Sequence, residues 1–410
     1  MVQIMAMKTS NQKKHGIPNK VFKAAVVIPT FNEGGCILSL LDELSLIAED
    51  ILPNIVMDIV VVDGNSPDGT GDKVAQKMRE MEKLHLIRES KKGGIGAAYC
   101  AGFKYTINVL VADVVIEFDG DFQHSPKQIP LLINEILLGY DYVVASRFIS
   151  GGSEPKERGY FRKLLTRSGG TLAKIILFFP GKHYLQITDP TSGLRATRVK
   201  NFADKLCLSE KWLFDSGFGY KVQWLAEILR LGAKYKEIPL RFGNRQTGKS
   251  KFTLSVVLHV LSSCIFTRLN DDSTQRFFKF ATVGLSGYTV NVLMLATIPL
   301  FINNDSLVWD EFIIWVISSE SAVISNFFLN NFWTFVDRRK RGLALISGLM
   351  KSNLSAAGSL AIISVFGTAG TLVFGPMYRQ IILIIIIAVF IVPYNWFMYN
   401  KFIWRKMSHS

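Results

Sequence analysis

The sequence predicts an α/β domain built on a mostly parallel sheet, followed by an α-helical membrane domain of four spans. Three observations carry this. Short β-rich apolar runs alternate with helical stretches over the first two thirds of the chain. Apolar runs of membrane-spanning length are confined to residues 277–404. The run from Val114 to Phe118 leads straight into Asp119-Gly120-Asp121-Phe122-Gln123, two carboxylates and an amide at the end of a strand, where open α/β sheets bind their ligands.

The chain has 410 residues, 49% of them hydrophobic, with a net charge of +14 and a mean hydropathy of +0.25. A membrane protein with basic cytoplasmic loops accounts for that charge as well as a nucleic-acid binder does, and no basic–aromatic platform stands outside the membrane-facing stretches, so no nucleic-acid partner is expected. The four cysteines, Cys36, Cys100, Cys207 and Cys264, are far apart and contain no C-x-x-C pair, which speaks against a disulfide framework or a zinc site. Residues 1–22 form a basic tail expected to be disordered. They hold no apolar core of a signal peptide, so the domain that follows, 23–250, is expected in the cytoplasm.

Within that domain Ala24–Pro29 reads as a strand, with Thr30 or Asn32 capping a helix over about 34–48. Met57–Val62 is a second strand ending at Asp63, and the turn Gly64–Thr70 opens another helix. A short strand, His85–Arg88, precedes Lys91-Lys92-Gly93-Gly94-Ile95-Gly96, a basic glycine-rich turn that suits an anion at a helix N-terminus. This turn is not G-x-G-x-x-G and does not follow the first strand, so it is no dinucleotide fingerprint, and the chain has no P-loop. The fourth strand carries the carboxylates, Pro126 begins a helix, and Tyr142–Ser146 is a fifth strand ending in Arg147. Hard oxygen ligands spaced like Asp119, Asp121 and Gln123 suit Mg²⁺ or Mn²⁺. His124 beside them reads as a supporting residue.

The segments Ile28-Pro29-Thr30-Phe31-Asn32-Glu33, Asp63–Thr70, Asp119–His124, Ser146-Arg147, Phe161–Thr166, Thr188-Asp189-Pro190-Thr191-Ser192-Gly193 and Arg245–Lys251 occur in order along the chain. Together they resemble the GT-A fold of family 2 glycosyltransferases, a Rossmann-like, mostly parallel sheet, and within that family the dolichyl-phosphate mannose synthases. The resemblance covers about residues 22–255. It implies a nucleotide sugar, GDP-mannose, held by Pro29, Thr30, Glu33, Asp63, Gly94, Asp119, Gly120, Arg245 and Lys251. A Mg²⁺ or Mn²⁺ ion would sit on Asp119, Asp121 and Gln123. Arg147, Arg162 and Thr166 would hold the phosphate of a dolichyl (polyprenyl) phosphate acceptor, and Asp121 would join those three as the catalytic set. The sequence departs from the family at Gly64, where a second acidic residue is usual.

A phosphate oxygen is already ionised near neutral pH, so such an acceptor needs positioning and charge compensation more than a general base. In-line attack would invert the anomeric centre and give a β-linked lipid phosphate. Two alternatives stay open: the same chemistry with a UDP-sugar such as UDP-glucose, and a lipid-linked-sugar flippase whose soluble domain only binds nucleotide sugar. A processive synthase would need a Q-x-x-R-W motif, which is absent.

Tyr160–Phe179 is amphipathic and is expected at the membrane surface, and 251–275 is expected as an interfacial linker helix. The membrane domain, 276–405, should contain spans near 280–302, 312–335, 352–374 and 381–404. Acidic Asp305, Asp310 and Glu311 lie in the first loop, Arg338–Arg341 in the second, and Lys401, Arg405 and Lys406 at the end, which places both termini in the cytoplasm. Asn326–Trp333 echoes Asn395–Phe402, a weak internal repeat. Gly284, Gly287, Gly358, Gly367 and Gly370 suit close helix contact. Glu320, inside the second span, is expected to hydrogen-bond within the bundle. The region resembles the GtrA-like membrane domain.

Overall fold

A computed structural model of the protein describes residues 21–51, 54–154, 159–206, 208, 212–243, 254–301 and 307–405. The chain divides into two compact units, one ending at Arg268 and the other beginning at Leu269.

The first unit is a seven-stranded sheet with helices on both faces. The strands are β1 (Phe22–Thr30), β2 (Ile55–Asp63), β3 (Leu84–Arg88), β4 (Val114–Glu117), β5 (Tyr142–Ser146), β6 (Arg195–Arg198) and β7 (Tyr235–Pro239), in the order β3-β2-β1-β4-β6-β5-β7. All pairings are parallel except those of β6, which runs antiparallel to β4 and β5. The helices are α1 (Ile37–Asp50), α2 (Thr70–Lys77), α3 (Ile95–Asn108), α4 (Ile129–Leu137), α5 (Tyr160–Phe178), α6 (His183–Gln186), α7 (Tyr220–Arg230) and α8 (Leu254–Leu269).

Strand β1 is buried on both faces, so its residues divide between two cores. Val26 and Ile28 face α1 and α4, through Leu40, Leu41, Leu132 and Ile133. Val27 faces the other layer, with Phe103 of α3, Trp224 of α7, Leu177 of α5 and Cys264 of α8. The expected amphipathic helices α5 and α8 thus each bury one face in this core. Each also exposes apolar side chains: Leu164, Leu172 and Ile175 on α5, and Leu254, Leu258, Ile265 and Phe266 on α8.

One expectation about helix capping is corrected. Helix α1 begins at Ile37 after Cys36, without a side-chain cap. The Glu33 carbonyl accepts from the amides of Cys36 and Ile37. Asn32 adopts a positive φ of 59° and donates its amide to Ser66 Oγ, while Thr30 donates to the Val62 carbonyl. Thr30 thus ties β1 to β2 itself and Asn32 ties it to the turn after β2, rather than either starting a helix.

The second unit contains α9 (Asp272–Thr297), α10 (Leu307–Leu329), α11 (Leu343–Phe374), α12 (Arg379–Ile386) and α13 (Val392–Phe397). Asp271 caps α9 by accepting the Thr274 amide at 3.1 Å. Both echoing segments run into π-helical turns, Asn330–Thr334 and Met398–Ile403, whose ends bring Phe335 and Trp404 into a stack at 4.7 Å. Asn331 accepts from Trp404 Nε1, and Arg338 donates to Asn400 Oδ1, so each copy of the repeat holds the other's end. Glu320 accepts from Asn353 Nδ2 at 2.8 Å, joining α10 to α11. Gly287, Gly358 and Gly370 face Asn326, Tyr394 and Ile382 at close range, whereas Gly284 faces open space and does not take the packing role expected of it. Among the described residues one continuous helical stretch, Ile384–Ile403, which takes in the end of α12 and all of α13, is long and apolar enough to cross a membrane.

Candidate active site

The carboxyl ends of β1, β2 and β4 open on one cleft of about 460 Å³, within the usual size range of small-molecule sites. Its wall contains Pro29, Thr30, Glu33, Gly94, Asp119, Gly120, Asp121, Gln123, Arg147 and Thr166. Most of the residues singled out from the sequence therefore meet at one place. Asp63 stands just behind the wall: Ser66 donates to Asp63 Oδ1 at 2.6 Å, and Gly64 takes the lining position. Arg162 lies on α5, where the structure describes its backbone only, and Arg245 and Lys251 lie outside the described residues.

Beyond the end of β4 the chain turns sharply, with Phe122 at φ 60°. Asp121 is buried and its Oδ1 accepts the Gln123 amide at 3.1 Å. Asp119 is held differently. Tyr99 donates to its Oδ1 at 3.0 Å, His124 Nε2 lies 3.3 Å from Oδ2, and Lys221 Nζ lies 3.4 Å from the same oxygen. Burial by itself would raise this carboxyl, but the Lys221 ammonium and then the His124 hydrogen bond hold it well below the usual carboxylate range. The carboxylate form of Asp119 is thus the favoured one in the fold. The floor offers two carboxylates and an amide, short of a closed protein cage. That fits Mg²⁺ or Mn²⁺, which usually take one or two carboxylates from protein and complete their shell with substrate phosphates and water.

Lys221, on α7, and Tyr99, on α3, carry no local signal of this role. Lys221 is 102 residues from Asp119 and reads as one charge on an ordinary helix. Gly193 makes the arrangement possible. A Cβ at this position would overlap Asp119 Oδ2 and approach within 2.8 Å of both His124 Nε2 and Lys221 Nζ. Gly193→Ala is expected to push Lys221 and Asp119 apart and lower turnover by about tenfold or more, since small misplacements of positioned groups are costly. Steady-state kinetics with circular dichroism as a folding check measures this.

The glycine-rich turn is used partly by the protein itself. The Gly96 amide donates to the Ser216 carbonyl at 2.6 Å, so these glycines admit the segment before α7 while Gly94 still lines the cleft.

Arg147 closes the other side of the cleft and also borders a second cavity of about 420 Å³ with Arg167 and Lys174. It is buried and pairs in a fork with Asp189, Nε to Oδ2 and Nη2 to Oδ1, both at 2.7 Å. The turn carrying Asp189 is fixed in turn: Glu237 accepts from the Thr188 amide at 2.8 Å and from its hydroxyl at 2.6 Å. From Arg147 the cleft wall continues along Leu165, Gly169 and Gly170 of α5 and Val256, Val257, Val260 and Leu261 of α8. A polar floor thus passes into an apolar wall.

Residues 25–192 match glycosyl transferase family 2, and residues 266–404 match the GtrA/DPMS transmembrane domain. A dolichol-phosphate mannosyltransferase of Pyrococcus furiosus is 33% identical over 83% of this chain and 88% of its own. The chain is a family 2 glycosyltransferase. As such it is an enzyme with a GT-A-like catalytic unit, and its second domain makes it a membrane protein. An undecaprenyl-phosphate mannosyltransferase of Micrococcus luteus is 33% identical over 57% of this glycosyltransferase and 89% of its own chain. Among solved structures, mannosyl-3-phosphoglycerate synthase from Rubrobacter xylanophilus is 20% identical over 62% of this chain and 76% of its own, with a TM-score of 0.44.

Proposed function

We propose that the protein transfers mannose from GDP-mannose to a polyprenyl (dolichyl) phosphate, with inversion, in the plane of a lipid bilayer. The observation that carries this reading is the single cleft whose carboxylate floor continues into the apolar wall of α5 and α8. A water-soluble donor and a lipid acceptor need such a mixed site. The exposed apolar side chains of the same two helices favour a membrane surface beside it. The names borne by the relatives above support mannose and a polyprenyl phosphate.

In this reading Pro29, Thr30, Glu33, Gly94 and Gly120 shape the donor pocket with Asp63 behind them, and Arg245 and Lys251 close on the diphosphate. Asp119, Asp121 and Gln123 would hold Mg²⁺ or Mn²⁺, which supplies charge neutralisation for the leaving diphosphate. Arg147, Arg162 and Thr166 orient the acceptor phosphate and balance its charge. The nucleophile is then an anionic oxygen aligned with the anomeric carbon, and no side chain needs to remove a proton. Arg338–Arg341 and Arg405 mark the same side of the membrane as the catalytic unit, which gives cytoplasmic termini.

Transfer of radiolabelled sugar to polyprenyl phosphate, in detergent with Mn²⁺, tests the proposal. GDP-mannose is expected to give a lipid product, and UDP-glucose little or none. Product from UDP-glucose alone would keep the mechanism and move the donor. No product from either, with nucleotide sugar still bound, would sink the transferase assignment to this acceptor.

A further inference from the structure

We propose that Lys221 makes binding of the divalent ion and of the donor diphosphate cooperative, by holding Asp119 until both arrive; the inference rests on the metal and nucleotide-sugar reading above and deepens it. The Lys221 side chain is buried, and its Nζ lies 3.5 Å from Asp119 Oδ1 and 3.4 Å from Oδ2. The ammonium thus straddles both oxygens of one proposed metal ligand. Other donors approach the same carboxylate: Tyr99 donates to Oδ1 at 3.0 Å, and His124 Nε2 lies 3.3 Å from Oδ2. An ionised carboxylate has about four acceptor positions in all. A cation that takes either oxygen therefore meets the Lys221 ammonium as its neighbour, where burial leaves little water to screen one charge from the other.

The adjustment falls to the Lys221 side chain, because its backbone is fixed. Its amide donates to the Phe218 carbonyl at 3.2 Å, and its own carbonyl accepts from Arg195 Nη1 at 2.6 Å in the core. The Tyr99 and Phe218 rings lie beside the ammonium, with centroids at 6.0 and 5.8 Å, and compensate a charge less well than a carboxylate does. Moved off Asp119 with no other anion at hand, the ammonium would be buried without its ionic partner, which is costly. Lys221 also lines the cleft, with Gly217 and Phe218. A diphosphate bound in the cleft supplies the missing anion. The donor thus releases Asp119 to the metal, and the metal releases Lys221 to the donor. Such coupling is reciprocal: each ligand raises the affinity for the other by the same factor.

Mn²⁺ binding to the full-length protein in detergent, followed by electron paramagnetic resonance with and without GDP, is the test. Wild type is expected to bind Mn²⁺ alone weakly and to bind it roughly 10- to 100-fold more tightly with GDP, within the usual range of coupling between sites. Attraction between metal and phosphate contributes to that factor in every variant. The deciding comparison is therefore Lys221→Met, which keeps the length of the side chain and removes its charge. It is expected to bind Mn²⁺ alone about tenfold more tightly than wild type, and to gain less from GDP. Lys221→Arg keeps the charge and should bind Mn²⁺ alone as weakly as wild type. Circular dichroism checks that both variants are folded. A folded Lys221→Met that binds Mn²⁺ alone no more tightly than wild type overturns the inference. So does a wild type whose Mn²⁺ affinity is unchanged by GDP. A Lys221→Arg that gains Mn²⁺ affinity as Lys221→Met does would assign the effect to packing and overturn it too. These three outcomes leave the metal assignment standing. A wild type that binds no Mn²⁺ even with GDP overturns that assignment itself.

Discussion

Asp121→Ala is expected to lower mannosyl transfer by about a thousandfold while leaving the catalytic unit folded. The two carboxylates at the end of β4 do not have equivalent surroundings. Asp119 is already engaged by Tyr99, His124 and Lys221, so its replacement disturbs a buried network as well as the cleft. Asp121 accepts the Gln123 amide two residues on, and its carboxylate lies on the cleft floor. In the proposed reaction its loss would remove a metal ligand from the cleft floor. Charge stabilisation by a bound divalent ion is worth several kcal/mol, and each 1.36 kcal/mol is tenfold in rate. Chelation of metal from the wild type should reach the same floor, and chelation of the variant should change nothing further, since the two act on one unit. Transfer assays with and without EDTA, alongside Mn²⁺ binding by electron paramagnetic resonance, measure both. A variant within tenfold of wild type would remove Asp121 from the reaction.

The parts of this site that could be read from the sequence are those whose signal is local. Strand β5 has the bounds expected of it, Tyr142–Ser146, because an apolar β-branched run is bracketed by polar turns. Strands β1 and β2 extend a residue or more past their expected ends, to Thr30 and Asp63, because their last residues are polar yet still pair in the sheet. Strand β6 has no such signal. Its sequence is Arg-Ala-Thr-Arg, and it sits buried in the middle of the sheet. Arg195 is tolerated there because Ser192, Pro190 and Lys221 give it backbone carbonyls and Tyr142 a hydroxyl. None of those partners is visible from the tetrapeptide. The same applies to Lys221 and Tyr99, which reach Asp119 where distant segments meet at the cleft. The carboxylate pair was legible because closely spaced residues each supply a group to the same cleft, whereas the Thr188–Gly193 turn stood out only through the family resemblance.

Asp189→Asn is expected to destabilise the catalytic unit by about 3–5 kcal/mol at neutral pH, the usual cost of leaving a buried charge without its partner. Arg147 is the charge in question. Both ions are buried, and their fork of two 2.7 Å bonds leaves Arg147 Nη1 outside the pair, the nitrogen that would address an acceptor phosphate. Burial tends to raise the Asp189 carboxyl, but the Arg147 guanidinium outweighs it and holds the carboxyl below its ordinary value. A folded-state pKa below the unfolded one means that the pair's contribution is complete above the unfolded value, about 3.9. It is lost as pH falls through the folded value. The gap in stability between wild type and variant should therefore be flat from neutral pH down to about 5 and narrow below 4. At pH 7 the thermal transition of the catalytic unit should drop by roughly 10 °C. Transfer should fall as well, through weaker binding of the acceptor phosphate, because a freed guanidinium no longer presents its outer nitrogen in one place. The gap would have the opposite pH trend if Asp189 were held protonated in the fold, and scanning calorimetry at several pH values distinguishes the two.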